Sequence, residues 1–115
     1  MKTFEIIMYK IYEIGNFEKE LNKLLDKSEL LEYENFKKEL KKGNILGKPL
    51  GYDFFREKKI GGKRVYFLVY KEITLILFVK SSKKKYQQET IDEIKFLLPE
   101  FKKLAYDIYK RNKKN

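Results

Sequence analysis

Between Tyr52 and Lys80 the apolar pattern has a period of two, and this constrains the fold more than any other feature. Tyr52, Phe54, Arg56 and Lys58 alternate with Asp53, Phe55, Glu57 and Lys59. Beyond Gly61-Gly62, Val65, Phe67 and Val69 alternate with Arg64, Tyr66, Leu68 and Tyr70. Successive side chains of a strand face opposite sides of a sheet, so this period predicts strands. A Gly-Gly pair between two such runs predicts a hairpin turn. Thr74 to Lys80, Thr-Leu-Ile-Leu-Phe-Val-Lys, is a third run. Its unbroken apolar character predicts the centre of the sheet, buried on both faces.

The flanks read as cover for that sheet. Phe4 to Tyr9 predicts a first strand, rich in β-branched and aromatic residues. Asn16 is placed to cap a helix carrying Phe17, Leu21, Leu24 and Leu25 on one stripe. Ser28 is the expected cap of a second helix, with Leu31, Tyr33, Phe36 and Leu40 as its apolar stripe and Gly43-Asn44 as its stop. Leu46 to Gly51 reads as a connector and Ser81 to Lys85 as a basic loop. A helix fits Gln87 to Leu98, and Pro99 is expected to open a further one over about 99–112, with Lys110 to Asn115 fraying. The order β-α-α-β-β-β-α, with an added C-terminal helix, makes the chain an α+β domain: an N-terminal strand, a helical hairpin, antiparallel β-strands and C-terminal helices. At 115 residues and 43% hydrophobic it suits a single domain, 1–115, with one core.

Composition narrows the chemistry. Cysteine and histidine are both absent, which removes disulfides, thiolate ligands, cysteine nucleophiles and the commonest general base. Asp53 and Glu57 are expected on one strand face without a third ligand, so no metal and no cofactor are expected. No run of about 18 apolar residues is present, and Met1 to Lys10 is interrupted by charge; no membrane partner is expected, and the cytoplasm is the default location. The net charge of +10 is unevenly spread. From Lys48 to Lys85 there are eleven Lys or Arg against three acids; the remainder has sixteen against fourteen. A basic block of this kind predicts a polyanionic partner, RNA above all.

Arg56 to Tyr70, Arg-Glu-Lys-Lys-Ile-Gly-Gly-Lys-Arg-Val-Tyr-Phe-Leu-Val-Tyr, resembles the central hairpin of the RelE/ParE superfamily of type II toxin–antitoxin toxins. Phe78-Val79-Lys80-Ser81-Ser82-Lys83-Lys84 is similar to that family's last strand and its basic exit, and the element order over roughly Thr3 to Leu98 is similar too. The resemblance implies a toxin held by a cognate antitoxin protein. A RelE-like member is a ribosome-dependent mRNA endonuclease: the RNA 2′-hydroxyl attacks the adjacent phosphate, without a metal. By resemblance Arg56 and Lys58 fall near the family's strand lysines, Arg64 matches its hairpin arginine, and Lys84 falls near its final arginine. Tyr86 is the tyrosine nearest the family's helical one, which an ungapped comparison puts at Thr90. Arginine suits a phosphate clamp, and a lysine serves as base where neighbouring cations lower its pKa. Lys59, Lys63, Lys83 and Lys85 are the further cations expected on RNA. Two alternatives stand beside this: a degenerate member that binds RNA or an antitoxin without cutting, and a ParE-like inhibitor of DNA gyrase.

Overall fold

The Gly61-Gly62 hairpin forms as the alternation requires, and the other elements pack around it. The structure is a computed structural model that describes residues 7–113. In chain order the elements are β1 (Lys10–Glu13), α1 (Phe17–Leu24), α2 (Lys27–Lys41), β2 (Lys48–Pro49), β3 (Phe55–Ile60), β4 (Lys63–Tyr70), β5 (Leu75–Lys83) and α3 (Gln87–Lys113). Short 3-10 turns, Lys71–Ile73 and Lys84–Tyr86, precede β5 and α3. The strands form one mixed sheet in the order β1-β5-β4-β3-β2. β1 runs parallel to β5, and the other pairs are antiparallel. The fold is α+β, as the pattern predicts.

Three layers result. The α1–α2 hairpin covers one face of the sheet through Phe17, Leu21, Tyr33, Phe36 and Leu40, which meet Val65, Phe67, Ile76 and Phe78. The long helix α3 covers the other through Ile91, Ile94, Phe101 and Ala105, which meet Phe55, Tyr66, Leu68 and Leu77. β4 and β5 are therefore buried on both faces. Each large apolar side chain fully buried there contributes about 1.5–3 kcal/mol.

Several local expectations change. The first strand is Lys10–Glu13 rather than Phe4 to Tyr9; residues 4–6 lie outside the described residues, and Ile7 to Tyr9 are not strand. Asp26, not Ser28, caps α2: its carboxylate accepts from Glu29 N–H at 2.8 Å, and the Glu29 carboxylate accepts from Asp26 N–H at 3.0 Å. This reciprocal box outcompetes a lone serine because it satisfies two free donors at once. Leu31 is exposed, so the α2 stripe is Tyr33, Phe36 and Leu40. The Leu46 to Gly51 connector contains β2, which pairs with Arg56 and Glu57. The strand at Tyr52 begins only at Phe55, which leaves Asp53 in a turn and off the strand face that carries Glu57. β5 runs on through Ser81 to Lys83 instead of ending at Lys80. One helix spans Gln87 to Lys113 with Pro99 inside it. The missing proline N–H costs one helical bond, but Phe101 and Ala105 continue the apolar face onto the sheet and hold the axis.

Candidate functional site

The hairpin turn sets the site, because it decides which face each cation of the basic block occupies. Gly61 takes φ +57 at the first turn position, and any added Cβ would meet Glu29 Oε2 at 2.8 Å. Ile60 then pairs with Lys63, Lys59 with Arg64, Lys58 with Val65 and Arg56 with Phe67. Val65, Phe67 and Ile60 belong to the core under the α1–α2 hairpin, so Arg56 and Lys58 share that face. Tyr66 and Leu68 belong to the core under α3, so Lys59 and Arg64 share the opposite face. Arg56 and Lys58 therefore do not converge with Arg64.

A bulge completes the arrangement. Tyr66 pairs with Lys80 and Phe67 with Phe78, leaving Val79 as the extra residue. The shift turns Lys80 and Ser82 to the α3 side and Ser81 and Lys83 to the hairpin side, the reverse of unbroken alternation from Leu77. Across β3, β4 and β5, the α3-side rows are then Lys59, Arg64, Ser82 and Glu57, Tyr66, Lys80.

Arg64 is the centre of this patch. It is 3% exposed, and its Nη1 donates to Lys63 O at 2.9 Å and Gly61 O at 3.4 Å. Its Nε is buried without a hydrogen-bond partner, and Arg64 forms no ion pair among the described residues. Two nearby acids, Glu57 and Asp53, are committed elsewhere. Glu57, also 3% exposed, accepts from Gln87 Nε2 at 2.8 and 3.0 Å. Asp53 binds Arg56 at 2.7 Å and Lys71 at 3.3 Å, with Lys71 the larger cause holding its carboxyl below the ordinary range. Tyr66 shares a 2.8 Å hydrogen bond with Ser82; burial pushes its pKa upward, keeping the hydroxyl protonated.

Lys84 N–H donates to Gly62 O at 2.8 Å, so the 3-10 turn of Lys84 to Tyr86 lies against the hairpin turn. Lys83, Lys84 and Lys85 are exposed, and Lys85 Nζ lies 5.1 Å from the centre of the half-exposed Tyr86 ring. Thr90 is buried and its hydroxyl donates to Tyr86 O at 2.9 Å. The structure therefore brings Lys59, Arg64 and Lys84 to one end of the sheet, with Lys85 and Tyr86 on the same turn as Lys84 and Lys83 just before it, at the end of β5 on the hairpin side.

The remaining candidates face the hairpin and carry counter-ions. Arg56 is fixed by Asp53 and by Gly47 O at 3.0 Å. Lys58 pairs with Glu32 at 3.4 Å, and Lys63 with Glu29 at 2.8 Å. Sequence reasoning did not pick out Gln87 or Ser82. Gln87 carries no chemical signal, and Ser82 reaches the patch only through the bulge. No group of three or more potential metal-ligating side chains occurs among the described residues. No described helix is long and apolar enough to cross a membrane.

No protein-family model matches the chain, and no curated protein matches it significantly.

Proposed function

We propose that the chain is a RelE-like toxin that grips RNA phosphate at the α3-side end of its sheet and cuts mRNA on the ribosome. The observation that carries this is Arg64: a guanidinium held in the sheet by two carbonyls, with a buried Nε and no acid paired to it among the described residues. A buried cation without a counter-ion is costly, and an anionic ligand is the natural compensation. Lys59 lies beside it in register, and Lys84 and Tyr86 lie across the turn. The resemblance of Arg56 to Tyr70 to the RelE/ParE hairpin supports the same reading.

In the reaction, the 2′-oxygen attacks phosphorus, the bond to the 5′-oxygen breaks, and a 2′,3′-cyclic phosphate and a 5′-hydroxyl result. Arg64 holds the non-bridging oxygens, where negative charge accumulates. Lys84 takes the 2′-proton and the Tyr86 hydroxyl supplies one to the leaving oxygen. A cognate antitoxin would restrain the protein in the cell. The test is a translation extract programmed with a defined mRNA: cuts at A-site codons are expected from the intact chain and none from Arg64→Ala. Uncut mRNA at high protein concentration removes the endonuclease.

A second reading is favoured by one observation, the position of Arg56 and Lys58 on the far face with their own acids. It is a family member that holds RNA without cutting, recognised by salt-dependent affinity with no cleavage.

A further inference from the structure

β5 is paired on both sides only as far as Phe78. β1 follows Leu75–Phe78 and ends at Glu13, whereas β4 accompanies β5 to Lys83. The direction of the later backbone groups follows from one hydrogen bond. Lys84 N–H donates to Gly62 O, and in an antiparallel ladder alternate residues repeat that direction, so Ser82 and Lys80 also turn toward β4. Ser81 and Lys83 lie between them. Ser81 therefore turns its N–H and C=O, and Lys83 its N–H, to the side where β1 has ended. Among the described residues no strand covers that side.

A groove of about 340 Å³ lies over this edge. Ser81, Ser82 and Lys83 form its floor, Glu20 and Leu24 of α1 one wall, and Tyr86 and Thr90 the other. Free strand edges are usually shielded or blunted, and an open one inside a groove is a template for an added strand.

We propose that the groove takes an extended acidic segment of another protein, added to the sheet beside Ser81 to Lys83. Its alternate side chains would point to the two walls, apolar ones against Leu24 or the Tyr86 ring and acidic ones toward Lys83. Glu20 is the one acid and Lys83 the one cation among the lining residues, and Lys84 and Lys85 continue the positive charge at the groove's end. A second copy of the chain is the wrong occupant, because edge-to-edge pairing would set two lysine runs against each other. The proposal rests on the sheet edge and not on RNA cleavage. The groove shares Tyr86 with the proposed RNA surface, so the two occupants exclude each other.

The probe is an acetylated, amidated octapeptide of alternating Glu and Val, with a Lys-Val counterpart and two versions N-methylated at alternate residues. With the intact protein, amide exchange at Ser81 and Lys83 should slow at least tenfold at saturation. One N-methylated version should bind at least tenfold more weakly. Ser81→Pro, which removes an N–H that β4 does not use, should lose binding to a similar degree, while Ser81→Ala retains it. Unchanged exchange at Ser81 and Lys83, equal binding of the Lys-Val peptide, or protection by a uridine oligonucleotide but not by peptide would overturn the proposal. Ser81→Pro should keep its RNA affinity. Loss of peptide protection with RNA binding intact rejects only the groove, and absent RNA binding with protection intact rejects only the RNA reading.

Discussion

The two faces of the sheet at the Gly61-Gly62 end carry cations in opposite circumstances. On the α1–α2 side Arg56, Lys58 and Lys63 each have an acid within 2.7 to 3.4 Å. On the α3 side Lys59 and Arg64 have none among the described residues, and Lys80 is the exception, paired with Glu93 at 3.0 Å. Glu29 and Glu32 of α2 already stand where a phosphate would have to bind the first group. The difference teaches that a basic block is not one surface: a cation facing its own acid is part of the architecture, and one without remains open to a ligand. Arg64 should therefore matter to RNA and little to stability, and the hairpin-side cations the reverse.

The largest expected effect is at Arg64. Arg64→Met keeps much of the volume and removes the unpartnered buried Nε. A hydrogen bond to a charged group is worth about 1.5–3 kcal/mol, so RNA affinity should fall at least roughly tenfold while the melting temperature stays level or rises. Filter binding and thermal denaturation on the same preparation read both. Intact affinity with a lower melting temperature would mean that Arg64 is a structural residue, and the contrast between the faces would break.

Alkali should act most strongly through the buried tyrosines, Tyr33 on the hairpin face and Tyr70 under α3, whose pKa burial also pushes upward. The Tyr33 hydroxyl is buried, and desolvation first, then its bond to Glu13, push its pKa far above the ordinary value of 10.0. A raised folded-state pKa gives stability that is complete below the unfolded value and is lost as pH rises above it, because only the unfolded chain can release the proton. Stability should thus decline above about pH 10. Tyr33→Phe should make that decline shallower, at a cost of about 1 kcal/mol at neutral pH for the lost hydrogen bond. Tyr66→Phe, on the α3 side, should alter the slope less. Denaturant titrations from pH 7 to 11 measure this; equal slopes for the two variants would mean that burial does not rank the Tyr33 and Tyr66 hydroxyls.

Arg56 comes next. Its bonds to the carbonyls of Gly47 and Asp53 join the turn before β3 to the connector that holds β2. Arg56→Ala should cost about 1 kcal/mol of stability and leave RNA affinity within twofold. A loss of RNA affinity without a loss of stability would return Arg56 to the RNA surface.

The parts of the fold legible in the sequence were those written in hydrophobic period and glycine position. The period-two runs, the Gly61 turn and the Phe17-Leu21 stripe are local patterns, and each became its element, the first run only from Phe55 onward. The site was legible in part, since Arg64 and the Lys83 to Lys85 run could be picked out by charge and by the resemblance. What escaped is set by contacts distant in sequence. Whether Arg56 shares a face with Arg64 depends on a turn that maps Lys59, not Lys58, onto Arg64. Ser82 reaches the patch through a bulge at Val79 that leaves no glycine or proline signature. The Gln87–Glu57 contact spans thirty positions and joins residue types common on any surface. Pro99 misled for a similar reason: a helix terminus is a local preference, and the apolar face continuing through Phe101 and Ala105 overrides it.

The smallest effect separates neighbours one residue apart. Lys58 and Lys59 are chemically identical and point to opposite faces. Lys58 lies 3.4 Å from Glu32 and 5.4 Å from the centre of the Phe36 ring, and both partners of the ion pair are substantially exposed. A double-mutant cycle on Lys58 and Glu32 should therefore give a coupling of about 0.5 kcal/mol or less, fading at high salt. Lys58→Ala should leave RNA affinity within twofold, because the ion pair already occupies its charge. Lys59→Ala should lower RNA affinity by about threefold and reduce the slope of log affinity against log salt by roughly 0.7, the value for one single-strand phosphate contact. The salt slope is the decisive reading, since it counts phosphate contacts independently of small changes in stability. If Lys58→Ala reduces the slope and Lys59→Ala does not, RNA lies on the α1–α2 side, and the unpaired state of Arg64 needs another explanation.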